Sequence, residues 1–361
     1  MIIITGGHLT PALSLIEELH RRDFTDIVFI GRHIAGEETQ LPAHEETVIS
    51  SQGVRFIPIT AGKLYRHLSA KAIISFLKIP LGLIQSWLIL RRLKPQVIIS
   101  FGGYLALPVS LAGKFLGIPV FTHEQGTRVG LANRLIGFLI AKKIAIAWPV
   151  NRPFFPSRKT ILIGNLIRPA ILKHQTKPLF TSRLTKPLLY ITGGNQGSRI
   201  INQTLLQLLP QLLADFAIVH QTGLSSFNDF EILKSPHYLP YPWLDDASVS
   251  WCLHHATIVI SRAGANIVTE LAFTGTPAIL IPLPKAQQNE QWHNANLLVT
   301  AGTARIILQT ELTPERLHQE INFILQHQNQ FQRHIPTAQK LVNPQAAEKL
   351  ADLIYDFLRL T

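Results

Sequence analysis

Three stretches of this 361-residue chain bring together side chains able to do chemistry. His8 follows an apolar run and the pair Gly6-Gly7. An imidazole is the readiest general base near neutral pH. His123-Glu124-Gln125 closes a second apolar run, and Glu124 is the only acid between residues 47 and 165. An isolated carboxylate at a strand end suits proton abstraction or hydroxyl binding; a salt bridge to Arg128 is the plain alternative. In the second half, SRAGANIVTELAFTGTPAILIPLP (261–284) gathers Arg262, small residues and a single carboxylate, Glu270. Ile267, Val268, Leu271 and Ala272 form the apolar face of the helix that follows. Asn266 and Glu270 lie four residues apart on its other side. The pattern therefore reads Glu270 as an ordinary solvated residue unless a cleft covers that face. There, a carboxylate accepting two hydroxyls, as from a ribose, would fit.

Three Gly-rich loops accompany these residues: Thr5-Gly6-Gly7-His8, Phe101-Gly102-Gly103-Tyr104 and GGNQGS at 193–198. Glycines let backbone N–H groups approach an anion at a helix N-terminus. The loops at 5–8 and 193–198 are not G-x-G-x-x-G, and no G-x-x-x-x-G-K-[ST] occurs in the chain. Metal signatures are absent from the sequence. Cys252 is the lone cysteine, His254-His255 lacks a matching ligand set, and Asp245-Asp246 is not an Asp-x-Asp pair. Phosphate charge is therefore expected to be met by helix N-termini and arginine, with no required ion.

Strand-to-helix units must position these loops. Ile2–Ile4, Ile27–Ile30, Val97–Ile99, Val120–Phe121 and Ile144–Ala147 read as buried strands of the first half. Leu188–Ile191, Phe216–His220, Ile258–Ile260 and Ala278–Ile281 read as those of the second. Amphipathic stretches such as Pro11–Arg21 and Ile200–Leu213 lie between them. Alternating β and α predicts parallel sheets covered on both faces. An internal echo predicts two such units. IIITGGH at 2–8 resembles LYITGGN at 189–195. VIISFGG at 97–103, followed by GIP at 117–119, resembles IVISRAG at 258–264, followed by GTP at 275–277. The boundary is expected near 150–186, where prolines cluster. This gives domains at 1–165 and 166–345, with a helix at 346–361 able to pack on either.

Composition limits the function classes. Hydrophobic content of 47% and charge content of 16% fit a globular protein and exclude disorder. One cysteine suggests a reducing cytoplasm. The start, MIIITGGH, has no basic segment before its apolar residues, so no signal peptide is expected. Residues 1–165 hold 19 Lys/Arg against 9 Asp/Glu, a net of +10; residues 166–361 hold 15 against 13, a net of +2. Such asymmetry points to an anionic partner for the first half, whether nucleic acid, a membrane surface or a pyrophosphate substrate. The longest apolar run, 73–90, is interrupted by Lys78, Pro80, Gly82 and Gln85. It is read as a surface contact with a bilayer, not a span.

The motifs together resemble the MurG-type N-acetylglucosaminyltransferases, which make lipid II for bacterial peptidoglycan. The matching landmarks are TGGHLTPAL at 5–13, GGYLALP at 102–108, HEQGTRVGLANR at 123–134 and GNLIRPAI at 164–171. GGNQGSRIINQ at 193–203, WLDD at 243–246, residues 261–284 and QWHNA at 291–295 continue the series over nearly the whole chain. The resemblance implies an α/β fold of two Rossmann-like domains facing across a cleft (GT-B). It implies inverting transfer of N-acetylglucosamine from UDP-N-acetylglucosamine to the muramyl 4-hydroxyl of lipid I, at the cytoplasmic face of the membrane. No cofactor and no nucleic acid is implied. Carried over by position, Arg168, Asn195, Gln196 and Gly197 would bind the donor, Arg168 and Asn195 at its diphosphate. The backbone at Leu244 would address uracil, and Arg262 would lie at the same end. The turn Ala263, Gly264, Ala265 and Asn266 would present N–H groups to the phosphates. Glu270 would take the ribose hydroxyls, with Gln291 and Asn294 near the sugar. Thr5, Gly6, Gly7, Gly102, Gly103 and Tyr104 would line the acceptor side. His8 and Glu124 compete as general base.

The sequence departs from the family pattern at three places. Ile3-Ile4 stand where two glycines usually precede Thr5, Gly126 replaces an asparagine, and Asn195 replaces a serine. Three other readings remain open. They are a transferase acting on another membrane lipid such as a diacylglycerol, a UDP-sugar 2-epimerase, and a binding protein without turnover.

Overall fold

The computed structural model describes residues 1–360 except 33, 37, 38, 43, 63–69, 174–177, 179, 182, 183, 195 and 285. Asn195 thus lies outside the described residues. The chain divides into two compact units, Met1–Leu166 with Pro344–Thr361, and Ile167–Asn343.

The first unit contains β1 (Ile2–Thr5), β2 (Ile27–Gly31), β3 (Ile34–Gly36), β4 (Thr39–Pro42), β5 (Arg55–Pro58), β6 (Val97–Ser100), β7 (Val120–Glu124), β8 (Lys143–Ile146) and β9 (Thr160–Leu162). Seven of these form one sheet in the order β5-β2-β1-β6-β7-β8-β9, while β3 and β4 pair as a separate antiparallel ribbon. Every pair in the sheet is parallel. Successive residues feed opposite cores, as the pleat requires. Ile2, Ile4, Val97 and Ile99 enter the core on one face; Ile3, Val28, Ile98 and Ile144 enter the other. Both faces are therefore apolar, and the strands read as unbroken runs.

The helix Leu9–Arg21 buries Ala12, Leu15, Ile16 and Leu19 at helical spacing. The helix Ala346–Leu360 packs beside it, burying Ala347, Leu350, Ala351 and Ile354. Arg22 fastens the two helices, reaching Glu18 at 2.6 Å and Asp352 at 2.6 Å. The apolar run at 73–90 belongs to one helix, Ala70–Leu93, with Pro80 inside it. Of its polar interruptions, Gln85 has a structural reason: its Oε1 accepts the Thr60 N–H at 2.8 Å.

The second unit contains β10 (Leu188–Thr192), β11 (Ala217–Gln221), β12 (Tyr238–Tyr241), β13 (Ile258–Ser261), β14 (Ala278–Leu280) and β15 (Ala304–Ile306). Their order is β12-β11-β10-β13-β14-β15, again all parallel. In each unit the chain runs outward from a central strand one way and then the other. The reversal falls between β1 and β6, and between β10 and β13. Ligands of open parallel sheets bind beyond the strand C-termini at such a switch point. The loops Thr5–His8, Phe101–Tyr104, Gly193–Ser198 and Arg262–Asn266 all lie there.

β5, β9, β12 and β15 are not anticipated by the apolar runs. They are the outermost strands of their sheets. β5 and β9 are partly exposed and β15 only half-buried, while β12 is broken by Pro240. An edge strand need not be apolar on both faces, and it tolerates proline.

Candidate active site

In the first unit the two Gly-rich loops lie against each other. The Phe101 N–H donates to the Thr5 carbonyl at 2.8 Å, and the Gly7 N–H to the Gly102 carbonyl at 3.1 Å. Thr5 is fully buried, and its hydroxyl donates to the Ile30 carbonyl at 2.9 Å. The Thr5 side chain is thus bonded within the sheet. Gly102 has φ 73, and a Cβ there would meet the Asn133 amide at 2.6 Å. Tyr104 is half-buried on the first turn of the helix Gly103–Phe115. Its hydroxyl faces the guanidinium of Arg32, which also pairs with Glu45 at 2.7 Å.

His8 stands at the N-cap of the helix Leu9–Arg21 with extended backbone and no cap bond from its ring. Desolvation holds its pKa below the ordinary value. His8 is solvent-exposed, so the depression is smaller than for a sealed histidine, and His8 is neutral at pH 7. His123 is such a sealed ring. It is fully buried and pushed down to about 4 by desolvation. Its Nε2 lies 3.0 Å from the Gly164 carbonyl, which can only accept, so Nε2 carries the proton and Nδ1 is bare.

Glu124 ends β7 and is buried. Its Oε1 accepts the Gly126 N–H at 3.0 Å; its Oε2 accepts the Gly130 N–H at 3.1 Å and Asn133 Nδ2 at 3.0 Å. Both oxygens are committed to holding the loop 124–130. This geometry suits an organiser of the loop. Asn133 is the centre of this network, also donating to the His123 carbonyl at 3.1 Å and accepting from the Thr122 hydroxyl at 3.0 Å. The motif reading missed Asn133. Its signal was an amide on the apolar helix Leu131–Leu139.

In the second unit, the loop after β10 rests on the end of β11. Gly197 has φ 74, and a Cβ there would meet the Thr222 carbonyl oxygen at 2.0 Å. Gln196 is exposed beside it. Gln221 Nε2 donates to the Gly194 carbonyl at 3.2 Å, and Asn202 Nδ2 to the Thr222 carbonyl at 2.8 Å. Asn202 Oδ1 in turn lies 3.1 Å from His220 Nε2. Ser198 heads the 17-residue helix Arg199–Asp215, and its buried hydroxyl has no partner among the described residues. That leaves an unpartnered polar group at a helix N-terminus.

After β13, Gly264 caps the helix Ala265–Thr274, which ends at Gly275 with φ 75. Ala263 and Ala265 are buried, and Asn266 is half-buried. The Ala263 N–H donates to Gln291 Oε1 at 3.3 Å, and the Leu283 N–H to the same oxygen at 3.0 Å. Gln291 is thereby oriented with its amide nitrogen left as a donor. Asn294 is buried beneath the turn, donating to the Ala263 carbonyl at 3.2 Å. This bond supports the turn. Arg262 reaches the Ile281 carbonyl at 3.1 Å and Gln309 Oε1 at 2.8 Å, and desolvation lowers its pKa. The Leu244 side chain is in the core, so only its backbone is available to a ligand.

Glu270 is not solvated as its helical position suggests: it is 1% exposed. Both of its oxygens accept from Arg168, from Nε at 2.6 Å and Nη2 at 2.6 Å. Arg168 Nη1 also donates to Asp246 at 3.0 Å. The neighbouring Asp245 caps the helix Asp246–His255 through the Ser248 N–H at 2.7 Å. Within the described residues, no group of His, Cys, Asp and Glu is arranged to hold a metal ion.

Matches over both sheets place the chain in glycosyltransferase family 28. The model described as Glycosyltransferase family 28 N-terminal domain matches residues 1–146, and that described as Glycosyltransferase family 28 C-terminal domain matches residues 188–354. A relative from Anaeromyxobacter dehalogenans is 34% identical over 98% of this chain and 91% of its own length, and one from Treponema denticola is 32% identical over 98% and 95%. The crystal structure of Acinetobacter baumannii MurG superposes with a TM-score of 0.70 at 26% identity, covering 98% of this chain and 99% of that one. The chain belongs to the family of UDP-N-acetylglucosamine–N-acetylmuramyl-(pentapeptide) pyrophosphoryl-undecaprenol N-acetylglucosamine transferases.

Proposed function

We propose that this protein transfers N-acetylglucosamine from UDP-N-acetylglucosamine to the muramyl 4-hydroxyl of lipid I, inverting the anomeric carbon and forming lipid II. The observation that carries the reading is 34% identity to a transferase of that name over 98% of the chain. The site geometry supplies matching chemistry. The second unit binds the donor: Glu270 takes ribose hydroxyls, the backbone at Leu244 meets uracil, and Gln291 donates its amide to a sugar oxygen. The diphosphate is met by backbone N–H groups at two helix N-termini, at Ser198 and at Gly264–Asn266. Gln196 and Gly197 complete the first of these, Asn195 is assigned to the diphosphate by the family resemblance, and Arg262 adds cationic potential beside the second.

The first unit binds the acceptor at Gly6, Gly7, Gly102, Gly103 and Tyr104. His8, neutral at pH 7, takes the proton of the 4-hydroxyl as its oxygen bonds to the anomeric carbon. The bond from that carbon to the phosphate oxygen breaks, and its electron pair leaves on UDP. Donors aimed at the departing phosphate act where negative charge grows, which is where preorganised dipoles lower the barrier most.

The enzyme works attached to the cytoplasmic surface of an anionic membrane. Leu81, Ile84 and Leu88 are 46%, 56% and 55% exposed and share one face of the helix Ala70–Leu93. Phe115 at the end of the adjoining helix is also exposed, and Lys78, Arg91, Arg92 and Lys114 lie on the same two helices. Apolar side chains rimmed by cations suit the headgroup boundary. No helix of the described residues is long and apolar enough to cross a membrane. The test is incubation with UDP-N-acetylglucosamine and either a lipid I analogue or diacylglycerol. Transfer to the lipid I analogue supports the reading. Transfer to diacylglycerol alone, or epimerised sugar without an acceptor, would overturn it.

A further inference from the structure

Arg168, Glu270 and Asp246 form a charge cluster in the second unit. The Arg168 side chain is 16% exposed, Glu270 1% and Asp246 47%. The guanidinium presents its fork to Glu270, with one N–H to each carboxylate oxygen at 2.6 Å, and spends a third N–H on Asp246 at 3.0 Å. One cation against two carboxylates leaves the cluster at a net charge of −1. Such a cluster repels a diphosphate and favours neutral hydroxyl donors. Each Glu270 oxygen keeps a second lone-pair direction after accepting from arginine. A planar fork fixes the plane of a carboxylate in a way that an ammonium cannot. Without it, Glu270 would be a buried unpaired charge that protonates or turns away.

We infer that Arg168 is a positioning residue: it locks the Glu270 carboxylate in the orientation that receives the two vicinal hydroxyls of the donor's ribose, and the diphosphate charge is met by backbone N–H groups. This rests on the reading of a UDP-sugar donor and differs from the diphosphate contact that the family resemblance implies for Arg168. Asp246 holds the far side of the guanidinium, which gives the second acid of WLDD a role.

The test is calorimetric binding of UDP, uridine and 2′-deoxy-UDP to the full chain. Arg168→Gln is expected to weaken UDP and uridine by the same factor, about 10- to 100-fold. It is also expected to reduce the preference for UDP over 2′-deoxy-UDP to below about 2-fold. Arg168→Lys, which keeps the charge and loses the fork, is expected to behave as Arg168→Gln does. A tenfold greater loss for UDP than for uridine, with the 2′-hydroxyl preference intact, would overturn the inference. If Arg168→Gln does not fold, the double variant Arg168→Gln/Glu270→Gln removes both buried charges. It is expected to keep the wild-type ratio of UDP to uridine affinity, and loss of that ratio would overturn the inference equally. Wild-type protein that binds no UDP would overturn the donor reading and this inference with it.

Discussion

Replacing Glu124 by glutamine separates an organiser of the loop from a general base. Among its partners, the carboxylate receives the Gly126 and Gly130 N–H groups at 3.0 and 3.1 Å and Asn133 Nδ2 at 3.0 Å. Glutamine has one oxygen to offer. Placed at the Oε2 position, it keeps Gly130 and Asn133, and its amide then confronts the Gly126 N–H donor to donor. One charge-assisted bond is lost and a buried N–H is left unpaired, a cost of about 2 kcal/mol. For a unit of this size that lowers the melting temperature by about 4–8 °C. Activity should fall only through this loosening, by about tenfold, whereas loss of a general base costs about 10²- to 10⁴-fold. Steady-state kcat and melting curves for Glu124→Gln and His8→Ala provide the comparison. His8→Ala should melt like the wild type and carry the large loss in kcat. The reasoning would be refuted if Glu124→Gln kept its melting temperature and lost activity a thousandfold while His8→Ala remained active.

Other outcomes follow from the same structure. His8 must be neutral to accept a proton, so kcat/KM should fall on acidification through a pKa below 6.5 and be flat from pH 7 to 8; a limb centred above 7 would contradict its desolvation. His123 and His220, held by burial at about 4 and about 3, protonate in the unfolded chain first. Stability is therefore full above pH 6.5 and lost on acidification, by about 2 kcal/mol in each unit between pH 6.5 and 5; urea midpoints unchanged over that range would count against it. Ile84→Glu should abolish binding to anionic vesicles and leave UDP affinity untouched, and wild-type binding should weaken with salt; equal binding to neutral and anionic vesicles would contradict the surface reading. Gly197→Ala would place a methyl against the Thr222 carbonyl and should weaken UDP at least tenfold, about 1.4 kcal/mol; unchanged affinity would exclude this loop from the donor site.

The interior of both sheets was legible in the sequence because a strand covered on two faces must be apolar throughout. Ile2–Thr5, Val97–Ser100, Leu188–Thr192 and Ile258–Ser261 all announce themselves this way. The edge strands Arg55–Pro58 and Tyr238–Tyr241 carry no such mark, since their pairing comes from the neighbour's free backbone. The Gly-rich turns were legible too, because a positive φ or a close approach admits little else. What the pattern could not show was where a polar side chain ends up. Helical spacing puts Glu270 on the polar face, but its burial is set by Arg168, 102 residues away in the chain. Glu124 likewise reads as a lone acid among bases, while its partners include backbone N–H groups that no composition reveals.

The most direct test of the central claim is transfer of labelled N-acetylglucosamine from its UDP conjugate to a lipid I analogue, with analysis of the linkage formed. The account predicts a lipid-linked disaccharide joined at the muramyl 4-hydroxyl with inverted anomeric configuration. Label that stays on UDP in the presence of the acceptor, or enters it with retained configuration, would contradict it.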